Sequence, residues 1–285
     1  MIRVAYLGPA GTFTEEALRA AAGDAEMEPV PQPTVYEAIR CVLDGETDRA
    51  FVPFENSIEG AVRATLDTLA FDATTVTIAG EHDHEISQAL IAGRGLALDE
   101  IEAVFSYPQA SAQCARFIRE SLPRADTRVA DSTADAVRMV SESDEPWAAI
   151  GAASAAELYG AVVLRSGVQD EPDNTTRFVW IAPEGTEPRG NGAWRTTLIF
   201  SELGEDHPGA LVDALTEFSS RDVNLTRIES RPRRMELGRY MFFLDVEGGA
   251  GDPTVGEAID GLRSKAEQVR ILGSYPLKAV GIPGA

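Results

Sequence analysis

The feature that most constrains this chain is an alternation in its first half of short apolar runs with helical segments opening on Thr-x-x-Glu. Ile2–Leu7 is an apolar run ending in the turn Gly8-Pro9-Ala10-Gly11, which reads as a buried strand. Thr12 followed by Glu15 is a capping box, so Glu15–Ala22 is expected as a helix. Thr34 and Glu37 repeat the signature before a second helix over Val35–Leu43. Arg49–Pro53 is the next strand, followed by the loop Phe54-Glu55-Asn56-Ser57 and a helix near Gly60–Leu69. The order β-α-β-α predicts a parallel sheet covered by helices on both faces.

Val76–Ala79 and Glu85–Ala92 read as two long strands crossing into a second lobe. There the alternation continues: strand Ala103–Ser106, helix Gln109–Leu122, strand Thr127–Ala130, helix Thr133–Ser141, strand Trp147–Ile150. Val162–Leu164 and Arg177–Ala182 are expected to return to the first lobe. Lobe one then spans about 1–78 and 161–183, and lobe two about 79–160. Two α/β lobes joined by two crossings make a cleft, a common place for a small ligand.

Residues 183–192, rich in Pro, Gly and Glu, break the pattern, and a linker is expected over 184–194. Beyond it, from 195 to 280, the rhythm changes. Strand Thr196–Phe200, helix Pro208–Ser219, strands Leu225–Glu229 and Tyr240–Val246, helix Thr254–Gln268 and strand Val269–Gly273 follow in turn. That order, βαββαβ, is the ferredoxin-like plan. A chain of 285 residues accommodates two such domains.

Charge narrows the function classes. Lys and Arg number 25 against 46 Asp and Glu, a formal net charge of −21. Such a field repels nucleic-acid backbones and anionic lipid, so neither nucleic acid nor a membrane is expected as a partner. Lys265 and Lys278 are the only lysines, and no acidic tail accounts for the excess, so adaptation to high salt is expected. Residues 1–20 contain no apolar signal core and no run of 18 apolar residues occurs, so a cytoplasmic location is expected. Cys41 and Cys114 each fall within an expected helix and read as buried free thiols. His82, His84 and His207 lack zinc-like spacing, and no metal site is expected.

Four motifs fall at strand-to-helix loops. In Gly8-Pro9-Ala10-Gly11-Thr12-Phe13, Gly11 lets backbone approach a ligand and the helix N-terminus suits an anion; Thr12 reads equally as an N-cap or a ligand contact. In Pro53-Phe54-Glu55-Asn56-Ser57, polar groups stand at a strand's C-terminal end, where open α/β sheets bind ligands. Asn56 and Ser57 could also cap a turn, and Glu55 could simply pair with an arginine. Gln109 and Gln113 share one helix face behind Tyr107-Pro108, a pattern that a plain surface helix also gives. In Asp173-Asn174-Thr175-Thr176-Arg177-Phe178, Arg177 can bind a carboxylate bidentately and a threonine hydroxyl can donate to a leaving oxygen; the bland reading is a turn and strand start.

Together these motifs resemble the prephenate dehydratase family. Gly209-Ala210-Leu211 and Glu229-Ser230-Arg231-Pro232 match the two phenylalanine-binding motifs of that family's regulatory ACT domain, so the resemblance covers nearly the whole chain. Tyr107 departs from the histidine usual before Pro-Gln. The chain starts directly at its first strand, without the helical chorismate mutase domain found in many members, and is expected to be monofunctional.

The resemblance implies a two-lobed, periplasmic-binding-protein-like α/β catalytic domain, with the ACT domain behind it. It implies that prephenate loses its ring carboxylate and ring hydroxyl together, without any cofactor, giving phenylpyruvate, carbon dioxide and water. Thr176 is implied as the catalytic residue. Thr12, Glu55, Asn56, Ser57, Gln109, Gln113, Thr175, Arg177 and Phe178 are implied substrate contacts, with Arg177 and the helix N-termini neutralising the carboxylates. Phenylalanine is implied as an allosteric effector between ACT domains of a homodimer or homotetramer. Arogenate dehydratase and a non-catalytic amino-acid sensor are the alternatives.

Overall fold

The structure is a computed structural model that describes residues 1–204, 208–234 and 237–284, so His207 lies outside the described residues. β1 (Ile2–Leu7) turns into α1 (Phe13–Ala22), followed by β2 (Met27–Gln32), α2 (Val35–Leu43), β3 (Arg49–Asn56), β4 (Gly60–Ala61), α3 (Arg63–Asp67) and β5 (Val76–Glu85). In both capping signals the threonine half acts as expected, whereas the Glu15 carboxylate takes the Gly11 N–H and the Glu37 carboxylate the Thr34 hydroxyl rather than the cap residue's own N–H. The Thr12 Oγ1 accepts the Glu15 N–H at 3.4 Å, and the Thr34 Oγ1 accepts the Glu37 N–H at 3.1 Å. The helix expected over 60–69 starts later, because Gly60–Ala61 first folds back onto β3 as a strand, and it runs on past α3 as a π-helical turn over Thr68–Asp72.

The second lobe comprises β6 (Gln88–Ala92), β7 (Ala103–Ser106), α4 (Pro108–Gln113), α5 (Ala115–Ser121), β8 (Asp126–Val129), α6 (Thr133–Ser141), β9 (Trp147–Ala152), α7 (Ala153–Tyr159) and β10 (Val162–Ser166). The helix expected over Gln109–Leu122 is thus two. The backbone breaks at Cys114 (φ −118°, ψ 18°), whose thiol lies buried at the joint, with burial pushing its pKa up to about 12. β10 does not return to the first lobe. Gly160 caps α7 in the left-handed conformation and turns the chain back antiparallel to β6, within the second sheet.

β11 (Thr175–Pro183) makes the return, giving sheet orders β2-β1-β3-β11-β5 and β10-β6-β9-β7-β8. Neither sheet is wholly parallel. β11 runs antiparallel to both β3 and β5, because a strand entering from the other lobe starts at the cleft end.

β12 (Gly190–Ser201), α8 (Ala210–Ser219), β13 (Leu225–Pro232), β14 (Tyr240–Glu247), α9 (Pro253–Arg263) and β15 (Gln268–Ala279) build an antiparallel sheet in the order β13-β14-β12-β15, the ferredoxin-like arrangement. Gly190–Trp194, expected as linker, is already strand. Its partner is an unexpectedly long β15, with Gly190 opposite Ala279 and Trp194 opposite Pro276. No local pattern reveals a pairing so distant in sequence.

Alternation along the central strands divides the core. Phe51, Phe178 and Trp180 pack toward α1. Val52, Val179 and Ile181 face the other way, where α2 and α3 cover part of the sheet and Met241, Phe243, Leu272 and Tyr275 of the C-terminal sheet cover the rest. The two sheets meet closely: a Cβ on Gly273 would stand 2.1 Å from the Ile78 carbonyl oxygen. No helix among the described residues is long and apolar enough to cross a membrane.

Candidate active site

A cleft of about 910 Å³ opens between the lobes. Lobe one lines it with the Leu7–Ala10 turn, Thr12, Pro53, Asn56, Thr176 and Phe178, and lobe two with Gln88, Tyr107, Gln109, Gln113 and residues 131–133. The start of β11 reaches its floor. Because side chains alternate along a strand, Thr176 and Phe178 face the cleft and Arg177 faces away. The Phe178 ring stacks on Phe51, centroids 5.2 Å apart, and forms an apolar wall.

The Thr176 hydroxyl belongs to a chain of amides. Asn56 donates from Nδ2 to Thr176 Oγ1 at 2.9 Å and to Asn174 Oδ1 at 2.7 Å, and Asn174 donates onward to Gln113 Oε1 at 3.1 Å. The Asn56 side-chain Oδ1 accepts the N–H groups of Ile58 and Glu59, both at 3.0 Å. Asn56 therefore caps its own turn and fixes the threonine at once. With a lone pair of Thr176 engaged by Asn56, its hydroxyl hydrogen is available to an oxygen in the cleft. Asn174 is 1% exposed and was not among the expected contacts, although it lies within the polar cluster before Thr176.

Thr12, Gln109 and Gln113 line the cleft. Ser57 and Thr175 do not; they clasp each other beside it, the Ser57 Oγ accepting the Thr175 N–H at 3.0 Å. Gly11 takes φ +83° and packs against Ala155, Leu158 and Tyr159 of α7, so its close approach is to the second lobe rather than to a ligand. Arg177 and Glu55 pair with each other at 2.9 Å on the far face, against Asp245 of the C-terminal domain. Arg177 is therefore not the carboxylate clamp of the cleft.

Among the described residues lining the cleft there is no Lys or Arg. The starts of α1, α4 and α6 line it instead and bring the positive ends of helix dipoles, while Asp131 and Asp135 add formal negative charge to the same lining. Sequence reasoning also passed over Gln88. It is buried, lines the cleft at the crossing between lobes, and its Oε1 has no hydrogen-bond partner among the described residues. The signal was an amide opening an otherwise apolar strand, Gln88–Ala92.

In the C-terminal domain, Gly209 (φ +98°) introduces α8, which begins with Ala210 and Leu211. β13 runs back beside this helix, bringing Glu229, Ser230, Arg231 and Pro232 to the same end of the domain. Ser230 and Pro232 are exposed, whereas Arg231 turns toward the first lobe and grips Asp67, with Nη2 2.7 and 2.8 Å from its two carboxylate oxygens. Burial works to raise the Asp67 carboxyl, but hydrogen bonds from Arg231 and Arg234 outweigh it and hold the pKa below the ordinary value.

Two α/β lobes closing on a cleft of hydroxyl, amide and backbone donors, with a ferredoxin-like domain on the back of one lobe, define a two-domain protein built around a small-molecule site. Residues 4–186 match the prephenate dehydratase family model, and residues 198–264 match that of the ACT domain. The chain belongs to the prephenate dehydratase family. It is 41% identical to the prephenate dehydratase of Mycolicibacterium vanbaalenii, over 96% of this chain and 90% of that protein. The Arthrobacter aurescens prephenate dehydratase, solved in complex with L-Phe, superposes with a TM-score of 0.88 at 41% identity, over 99% of this chain and 94% of that one. A protein described as a novel type of quorum-quenching acylase, GqqA, shares the fold with a TM-score of 0.83 at 34% identity, over 96% and 97% of the two chains.

Proposed function

We propose that this chain converts prephenate to phenylpyruvate, carbon dioxide and water, with Thr176 as the catalytic residue. The carrying observation is the Thr176 hydroxyl, fixed by Asn56 at 2.9 Å and facing the cleft. In the reaction the bond from the ring to its carboxylate breaks and the electron pair enters the ring. The carbon–oxygen bond to the ring hydroxyl breaks as the ring becomes aromatic. Thr176 donates to the departing oxygen, which leaves as water once solvent has made good the proton. A neutral hydroxyl is a poor acid, so fixed position and local dipoles provide the effect. The substrate carboxylates bind at the helix N-termini, which suits a dianion entering a protein of charge −21.

The reading extends to regulation and surroundings. Phenylalanine binds at the end of the ACT domain carrying Gly209–Leu211 and Glu229–Pro232 and lowers turnover. The outer edge of β13, which among the described strands pairs with β14 alone, joins a second copy in a homodimer or homotetramer. The protein works in a cytoplasm of high salt. Arogenate presents the same ring chemistry, so the test is turnover of both substrates, followed by the ultraviolet absorbance of the aromatic product, with and without phenylalanine. Turnover of prephenate, lowered by phenylalanine, is expected. Faster turnover of arogenate would reassign the substrate, and binding without turnover of either would make the chain a sensor.

A further inference from the structure

Thr176 precedes Arg177 on β11, and Asn56 follows Glu55 on β3. The two residues that form the hydroxyl site are thus each bonded to a residue facing the C-terminal domain. There, six charged side chains interlock across the domain boundary. Arg177, Glu55 and Glu81 come from the catalytic sheet, and Arg195, Arg227 and Asp245 from the C-terminal sheet. Arg177 Nη2 lies 2.6 Å from Asp245 and 2.9 Å from Glu55; Arg195 Nη1 lies 2.6 Å from Glu81; Arg227 Nε lies 3.4 Å from Glu55. Thr197 fixes Asp245 with a 2.8 Å bond, and Tyr275 lies 2.9 Å from Thr197. Phe54 carries both guanidinium groups on its ring, 4.9 Å from Arg177 and 5.0 Å from Arg227.

Two details make this more than an anchor. A register shift beside Arg177 leaves Phe54 as the extra residue of β3, so Phe54 and Glu55 both serve the arginine face while Asn56 still reaches Thr176. The cluster is also under-satisfied: Arg177 Nε and both terminal nitrogens of Arg227 are buried without a hydrogen-bond partner among the described residues. Glu55 lies between two arginines, nearer to Arg177. Both guanidinium groups are buried, so each gains by finding a full partner, while the Glu55 side chain, 36% exposed at the edge of the interface, can turn toward either; small displacements then select between discrete pairings. Arg227 stands on β13, the strand that ends in Glu229–Pro232.

We infer that Arg177 is a positioning residue for Thr176, and that the C-terminal domain sets its position through Asp245 and through competition of Arg227 for Glu55. This rests on the dehydratase reading above. Displacement of β13 by an effector changes which arginine holds Glu55, and Asn56 and Thr176 move with it.

Asp245→Asn keeps the shape and the Thr197 contact but removes the charge facing Arg177. In the full chain it is expected to lower kcat by roughly tenfold with KM changed less than about threefold, the range for residues along a coupling network. Arg227→Met keeps an apolar stem over Phe54. It is expected to leave basal kcat within about threefold and calorimetric phenylalanine binding intact, while the maximal inhibition falls by about half or more. A folded Asp245→Asn protein with wild-type kcat overturns the positioning role, and Arg227→Met inhibited like wild type overturns the competition. Should Asp245→Asn fail to fold by circular dichroism, Thr197→Val, which removes only the hydroxyl that fixes Asp245, takes its place, with a loss of kcat expected and a wild-type kcat overturning the positioning role. A wild-type chain inactive on both substrates would instead defeat the functional reading.

Discussion

Thr176 and Arg177 are adjacent on one strand and face opposite sides of the sheet, one toward the interlobe cleft and the other into the domain interface. Arg177 is 8% exposed, and the Asp245 carboxylate it pairs with is fully buried. Burial works against the Arg177 charge, yet Asp245, Tyr275 and Glu81 outweigh it and raise its pKa above the ordinary arginine value. Removing the cation leaves a buried carboxylate without its partner. Arg177→Met is therefore expected to lower stability by about 3–5 kcal/mol in chemical denaturation. An arginine in an open cleft would be replaced at little cost in stability, so an unchanged unfolding midpoint would return Arg177 to the substrate.

Gln88 offers a buried amide oxygen, without a hydrogen-bond partner among the described residues, to whatever fills the cleft. A ligand donor that meets it gains a hydrogen bond in a dry site. Gln88→Met, similar in volume, is expected to raise KM by about tenfold with a smaller effect on kcat. Steady-state kinetics with an unchanged KM would mean the amide only packs.

Glu16 of α1 ties the two lobes together. Its Oε1 lies 3.0 Å from His84 Nε2 and its Oε2 accepts the Ser154 hydroxyl of α7 at 2.6 Å. The His84 hydrogen bond, aided by Ser154, outweighs burial and holds the Glu16 carboxyl below its ordinary value of 4.5. A folded-state pKa below the unfolded one stabilises the protein above pH 4.5, and this contribution is lost as pH falls through the folded value. Glu16→Gln is expected to flatten the fall in stability below that pH. An unaltered slope in denaturation at stepped pH would contradict it.

The charge of −21 makes self-repulsion a property of the whole chain. Melting temperature and turnover are expected to rise from 0.1 M to about 3 M KCl, as the Debye length shrinks from about 10 Å to below about 3 Å. Full activity and unchanged melting at the low end would remove the salt adaptation.

The parts of this molecule written in local pattern were legible in the sequence. Thr12 and Thr34 cap the helices their Thr-x-x-Glu signatures indicate, and Thr12, Asn56, Gln109, Gln113 and Thr176 meet at one cleft. What failed depended on long-range pairing. Which way Arg177 points follows from the phase of β11 against β3, set by a shift between residues about 120 apart, and from a second sheet covering that face. The turn that keeps β10 in lobe two, and the strand at Gly190–Trp194, likewise depend on partners elsewhere in the chain. Gln88 and Asn174 were missed because a polar residue beside a strand end gives no sign of burial until the lobes close around it.

The central claim is that the Thr176 hydroxyl donates to the departing oxygen, and Thr176→Val tests it most directly. Valine has nearly the same shape and cannot donate. Rapid-mixing kinetics with prephenate are expected to show kcat reduced by about 10²–10³, the usual loss on removing one preorganised donor, with substrate binding little changed and Thr176→Ser keeping part of the rate. A Thr176→Val protein that turns over like wild type would contradict the account, because the hydroxyl would then leave without help from this residue.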